Sequence, residues 1–107
     1  MARSEFRWNK KRKHYSYLFK DAGGFVLNIV ITTKPNRIVH GRIKKNIRLF
    51  KHPNPNSSKT AYVIPFVYVD KVSSFFEKIY SWNFDKNDKR TIKRIKRLFI
   101  NKKKSQL

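Results

Sequence analysis

The segment Phe25–Thr33 constrains the fold more than any other part of this chain. It reads Phe-Val-Leu-Asn-Ile-Val-Ile-Thr-Thr, and its β-branched and aromatic residues favour an extended strand. Apolar side chains occupy both of its alternating faces, so neighbouring elements must cover it on both sides. We therefore predict that this segment forms a central strand of a sheet.

Shorter strand patterns lie on both sides of this central segment. His14–Phe19 alternates in the same way, and the turn residues Asp21–Gly24 join it to the central strand, which predicts a β-hairpin. Ile38–Ile43 and Ile47–Phe50 predict two short strands separated by Lys44–Asn46.

The next stretch combines a loop with a further strand. Lys51–Thr60 contains two prolines among Asn and Ser residues, and we predict a rigid loop that is a candidate for binding. Ala61–Val69 returns to a strand pattern, at an edge or with a bulge, because Pro65 has no amide hydrogen to donate. Asp70–Trp82 predicts either a short helix or an irregular packed segment.

The C-terminal segment predicts an amphipathic helix. Asp85 is the expected N-cap, and Asp88 lies in the first turn, where a negative charge is favourable. An apolar stripe is expected to face the sheet, and it consists of Ile92, Ile95, Leu98 and Phe99. The opposite side collects only cations, which are Lys89, Arg90, Lys93, Arg94, Lys96 and Arg97.

Together these patterns predict an α+β fold. An antiparallel sheet of about four or five strands packs against a C-terminal amphipathic basic helix. The 107 residues fit one domain. We expect a basic, flexible arm over 1–13, a single α+β domain over 14–101 and a basic tail over 102–107.

The charge of the chain indicates a polyanionic partner. Its 27 Lys and Arg residues face six Asp and Glu residues, for a formal net charge of +21. Hydrophobic residues make up 39%, so we expect a folded body under this charge. On such a body the cations lie within about 8 Å, the Debye length at physiological salt, and repel one another unless an anion covers them.

Nucleic acid is the partner that these cations predict, bound mainly through its backbone phosphates. The basic side of the C-terminal helix is the first candidate surface. A second basic patch consists of Arg42, Lys44, Lys45 and Arg48, and Trp8 is the candidate ring for base stacking. RNA and DNA both remain open, and so does the oligomeric state.

Membrane binding is not expected, because the apolar stripe of the helix is short and is needed for the core. The sequence has no cysteine, no long apolar run and no apolar signal segment near Met1, so we expect a cytoplasmic protein. The acids are scattered along the chain, and neither a metal site nor a cofactor is predicted.

Two other functions use the same electrostatics. A metal-independent endoribonuclease of the toxin type needs a base, an acid and cations, and its candidate catalytic residues are His14, His40 and His52. An inhibitor that docks on a larger nucleoprotein machine needs only the basic surface. The predicted nucleic-acid-binding protein itself fits a component of a mobile element or a ribonucleoprotein, with a protein partner in that complex.

Overall fold

A computed structural model describes the backbone of residues 2–105 and the side chains of residues 3–99. It confirms the α+β class, with an antiparallel sheet and a C-terminal helix. The elements in chain order are β1 (Ala2–Asn9), β2 (His14–Ala22), β3 (Phe25–Thr32), β4 (Asn36–Val39), β5 (Arg42–Lys45), β6 (Ile47–Arg48), β7 (Tyr62–Val63), β8 (Tyr68–Lys71) and α1 (Lys86–Ser105). The main sheet has six strands, in the order β1-β2-β3-β7-β6 with β8 also paired to β3.

Strand β3 is central, as its sequence predicts. The glycines between β2 and β3, Gly23 and Gly24, have φ values of 53° and 81°, and this is the geometry of a two-residue hairpin turn. On the other side, β7 and β8 share the length of β3, with Val63 opposite Ile31 and Val69 opposite Leu27.

Two strand predictions are corrected by the structure. Ala61–Val69 is not one strand, because the chain breaks between β7 and β8 around Pro65. Ile38–Ile43 is interrupted by a tight turn at His40 and Gly41, whose φ values are 49° and 77°. Strands β4 and β5 therefore form a separate two-stranded hairpin.

The core lies between the sheet and α1. Leu27 and Ile29 of β3 share a buried cluster with Ile92 and Ile95 of the helix. The opposite face of β3 is covered by the chain that follows β8, where Phe75 packs on Val26 in a smaller cluster. That chain holds only a short 3-10 turn, Val72–Ser74, and is otherwise irregular.

The N-terminal residues differ from the loose arm expected over 1–13. Residues 2–9 form the strand β1, and Phe6 is 4% exposed within the main core. The outer edge of β1 is covered as well, because the amides of Phe76 and Ile79 donate to the carbonyls of Trp8 (3.0 Å) and Phe6 (2.8 Å). Phe6 is buried and both edges of β1 are hydrogen-bonded, so this segment is held in the fold. Its basic composition alone predicts a loose arm.

Helix α1 begins as predicted, and its apolar stripe is narrower than predicted. The carboxylate of Asp85 accepts a hydrogen bond from the amide of Asn87 (3.0 Å), which makes it the N-cap. Leu98 is 65% exposed, so its predicted place in the apolar stripe is wrong. The expected tail continues the helix through Ser105, and residues 106–107 lie outside the described residues. Within residues 2–105, no helix combines the length and apolar character that a membrane span requires.

A buried carboxylate ties the strands together at one end of the sheet. Asp70 of β8 accepts two hydrogen bonds from the Arg12 guanidinium, at 2.8 and 3.0 Å. It also accepts from the side-chain amides of Asn9 (3.0 Å) and Asn28 (3.1 Å). Burial alone would raise the pKa of Asp70, but the hydrogen bonds from Arg12 and the two asparagines outweigh it and hold the pKa below its ordinary 3.8.

Substitution of this carboxylate should destabilise the fold strongly. We expect Asp70→Asn to lower the free energy of unfolding by about 3 kcal/mol, because it leaves the Arg12 charge without its partner. Asp21→Asn is the matched control, since Asp21 pairs with Arg3 at a site where both side chains are partly exposed, and its effect should stay below about 1 kcal/mol. Urea unfolding at neutral pH measures both.

The pH dependence gives a second check on the same carboxylate. Because its pKa is lowered in the folded state, the advantage of the native protein over Asp70→Asn is present above pH 3.8 and shrinks as the pH falls through the lowered pKa. Equal stability of the two proteins at neutral pH would contradict the role given to Asp70.

Candidate nucleic-acid interface

A row of aromatic residues extends the core face of the sheet to an open cavity. Trp8 of β1 pairs with Tyr15 of β2, and Tyr15 pairs with Ile31 of β3. The ring of Tyr15 lies 4.8 Å from Trp8 and 4.7 Å from Trp82, centroid to centroid. These residues line a cavity of about 320 Å³, which we call the aromatic cleft.

The loop that follows β6 forms the opposite wall of the aromatic cleft. Asp88 of α1 is 3% exposed, and its carboxylate accepts hydrogen bonds from the amides of Phe50 (2.7 Å) and Lys51 (3.0 Å). The next residue is His52, whose ring lies 5.7 Å from Trp82 in an edge-to-face contact. The first turn of the helix therefore fixes the predicted rigid loop and the histidine that it carries.

The polar lining of the aromatic cleft consists of histidine and lysine side chains and of uncharged polar side chains. It is contributed by Lys13, His14, Thr32, Thr33, His52, Asn54, Ser57 and Lys59. Among the described residues no carboxylate lines this cavity. The structure thus brings together His14, His52 and Trp8, which the sequence analysis named separately, whereas His40 lies in the hairpin turn outside the cleft.

Both histidines of the aromatic cleft are biased toward their neutral form. Burial is the larger cause, and it lowers the pKa of His14 and of His52 below the ordinary 6.5. The nearby cation Lys34 adds to the effect at His14. Lys59 does the same at His52.

A second cavity continues the aromatic cleft toward the β4–β5 hairpin. It has a volume of about 460 Å³ and shares His14 and Thr32 with the first cavity, so the two adjoin. Its walls include the exposed cross-strand pair Ile38 and Ile43, together with Arg37. We call the two adjoining cavities together the extended groove.

The basic side of α1 is largely as predicted. The exposed cations are Lys89, Arg90, Lys93, Arg94 and Arg97. Lys96 is the exception, because its ammonium lies over the rings of Tyr17 (5.2 Å) and Phe19 (4.9 Å), so it packs at the border of the core. The helix therefore presents five of the six predicted cations to solvent.

The second predicted patch is also exposed and belongs to the hairpin region. Arg42, Lys44 and Lys45 lie on β5, and Arg48 lies on β6. All four side chains face solvent. The root of the hairpin is held by Arg37, which donates to the Lys45 carbonyl (2.9 Å) and to the Asn46 side chain (2.8 Å).

Most of the acids are engaged by partners within the described part of the chain, and Asp70 and Asp88 are buried. Asp70, Asp85 and Asp88 have the structural partners described above, and Glu5 pairs with Arg7 at 2.9 Å. Residues 3–99 contain no group of three or more His, Asp or Glu side chains placed to hold a metal ion. The acids therefore offset little of the positive charge at the exposed surface.

Two lysines and two aromatic residues of the lining were not predicted as site residues. Lys13 lies in the basic N-terminal segment and Lys59 in the predicted binding loop, and no pattern separates either of them from the other lysines. Tyr15 is an aromatic residue close to the basic N-terminal segment, but the alternation of its strand predicts a place in the core. Trp82 follows an irregular segment, and the unusual sequence Trp-Asn-Phe-Asp ahead of the helix is the only signal that marks it.

No protein-family model, no curated protein sequence and no solved structure matches this chain.

The ionisation of the cleft histidines can be measured directly. We expect the imidazole signals of His14 and His52 to titrate with midpoints below 6.5 in an NMR pH series, because burial and nearby lysines disfavour the charged form. Signals are assigned with the single variants His14→Ala and His52→Ala. Midpoints above 6.5 for either residue would contradict the burial and the electrostatics described for the cleft.

Proposed function

We propose that this protein binds single-stranded nucleic acid in the extended groove. One observation carries the proposal: aromatic rings, histidines and lysines line the aromatic cleft, and the adjoining cavity adds Lys34 and Arg37, on a chain with a net charge of +21. Aromatic faces take unstacked bases, and cations along a groove take the backbone phosphates.

The shape of the site favours a single strand over a duplex. An aromatic cleft of about 320 Å³ can admit a base only when that base is unpaired and turned out of its stack. A compact small molecule would use one cavity, whereas a linear polymer uses both. The chemistry of the lining is compatible with RNA and with DNA.

The exposed cations outside the extended groove have a second role. Those of α1 and of the β5 region attract a polyanion at long range and raise its rate of encounter with the groove. If the protein contacts about six phosphates of the strand, the slope of log K against log salt should be near −4, by the factor of about 0.7 per phosphate for single strands.

The location and a protein partner are further parts of the proposal. We place the binding of nucleic acid in the cytoplasm, and a protein partner in a nucleoprotein complex stays a prediction.

Replacement of a stacking ring should weaken binding far more than replacement of an exposed ring elsewhere. We expect Trp8→Ala to weaken binding of a labelled single-stranded oligonucleotide by about 5- to 150-fold, the equivalent of about 1–3 kcal/mol for one stacked base. Tyr80→Ala is the control, because Tyr80 is 75% exposed and does not line the cleft. Fluorescence anisotropy gives the affinities, and circular dichroism checks that both variants fold.

Two results would overturn the proposal. The first is an affinity of the native protein for single strands no higher than for a duplex of the same length. The second is an equal loss of affinity in Trp8→Ala and Tyr80→Ala. Either result would place the nucleic acid on the outer basic surface and not in the extended groove.

A further inference from the structure

The two imidazoles of the aromatic cleft are not equivalent. Nδ1 of His52 accepts a hydrogen bond from the amide of Asn54 (3.0 Å), so the neutral ring carries its proton on Nε2 and can donate it to a ligand. The side chain of His14 makes no hydrogen bond to any described residue, and it lines both cavities. One imidazole is thus a fixed donor, and the other has a nitrogen free to take a proton.

We propose that the aromatic cleft cleaves RNA, with His14 as the general base and with His52 and Lys59 acting on the phosphate. The inference rests on the proposed function, because the strand must lie in the extended groove for its phosphate to reach these residues. Its substrate is single-stranded RNA, and DNA is excluded as a substrate because the ribose 2′-hydroxyl is the nucleophile.

The reaction is an internal transesterification. His14 takes the proton of the 2′-hydroxyl while the 2′-oxygen forms a bond to phosphorus. The bond between phosphorus and the 5′-oxygen breaks, and that oxygen takes a proton from the Lys59 ammonium. The products are a 2′,3′-cyclic phosphate and a 5′-hydroxyl end, and proton exchange with water restores both residues.

The surroundings of the phosphate suit this reaction. Negative charge grows on the phosphoryl oxygens in the transition state, and the Nε2–H of His52 and the ammonium of Lys13 are donors for it. No described carboxylate lines the cleft to repel the phosphate. The aromatic rings hold the base beside the reacting bond and so supply the orientation that the reaction requires.

The pH profile follows from the groups that face His14. The titratable and charged groups that share a cavity with His14 are Lys13, Tyr15, Lys34, Arg37, His52 and Lys59. The cations among them and the burial of the ring both favour neutral His14, which is the form that acts as a base. The rate should therefore rise with a midpoint below pH 6.5 and stay high at neutral pH.

The test compares RNA with a strand that binds and cannot react. A labelled single-stranded RNA of mixed sequence is incubated with the purified protein in EDTA, and its 2′-O-methyl counterpart reports binding alone. We expect 2′,3′-cyclic phosphate ends from the RNA, with a rate lowered about 10²- to 10⁴-fold in His14→Ala. His40→Ala, a histidine in the hairpin turn, should cleave at the native rate, and added imidazole should partly restore His14→Ala.

The outcomes of this test distinguish the catalytic inference from the proposed binding function. Intact RNA beside a bound 2′-O-methyl strand would overturn the catalytic inference and leave the binding function standing. Failure to bind the 2′-O-methyl strand and also a single-stranded DNA of the same sequence would overturn the proposed function itself. Equal cleavage by the native protein and His14→Ala would also overturn the inference, because the activity would then come from another site.

Discussion

The hydrogen bonds to the buried carboxylate of Asp70 are the constraint on which the rest of the structure depends. This carboxylate holds the turn after β1 through Asn9 and Arg12, the centre of the sheet through Asn28, and its own strand β8. The turn after β1 leads directly to Lys13 and His14, so the same interaction sets one wall of the aromatic cleft. Asp88 sets the other wall, because it fixes the amides just before His52. The two buried carboxylates, Asp70 and Asp88, thus position a site that is lined by histidines and lysines.

This arrangement also explains how so basic a chain can fold. A buried carboxylate stays ionised when several hydrogen-bond donors surround it, and only groups at the right distance and angle can be those donors. A surface ion pair, in contrast, contributes little to the stability of the fold. Acids held in this way secure the scaffold, and within residues 3–99 none of them pairs with the exposed cations of α1 or of the β5 region. The repulsion among those cations remains as a cost, and a bound polyanion removes it. Stability and binding are therefore linked through the same charges.

The sequence predicts those parts of the fold that local patterns control. The β-branched run Phe25–Thr33 and the two glycines before it predict the central hairpin, and Asp85 with the apolar spacing after it predicts α1. Phe6 shows the limit of this reasoning, because its burial depends on pairing with residues more than seventy positions away. The break at Pro65 and the turn at His40–Gly41 were misjudged because single residues, and not a pattern, decide them.

The aromatic cleft is harder to predict because it is assembled from distant segments. Trp8, His52 and Trp82 meet only through the register of β1 and β2 and the hydrogen bonds of Asp88. Sequence patterns identify candidate rings and histidines one by one, but no pattern states which of them share a cavity. The exposure of the cations was easier to predict, because a charged side chain on a helix or hairpin faces solvent unless a partner buries it.

Intrinsic fluorescence can show whether a strand enters the aromatic cleft, because both tryptophans of the chain, Trp8 and Trp82, line this cavity. A single-stranded oligonucleotide is titrated into the protein at low salt, while anisotropy of a label on the strand follows total binding. We expect tryptophan emission to change and to saturate together with the anisotropy, because bases stack on these rings. Binding seen by anisotropy with unchanged tryptophan emission would contradict it.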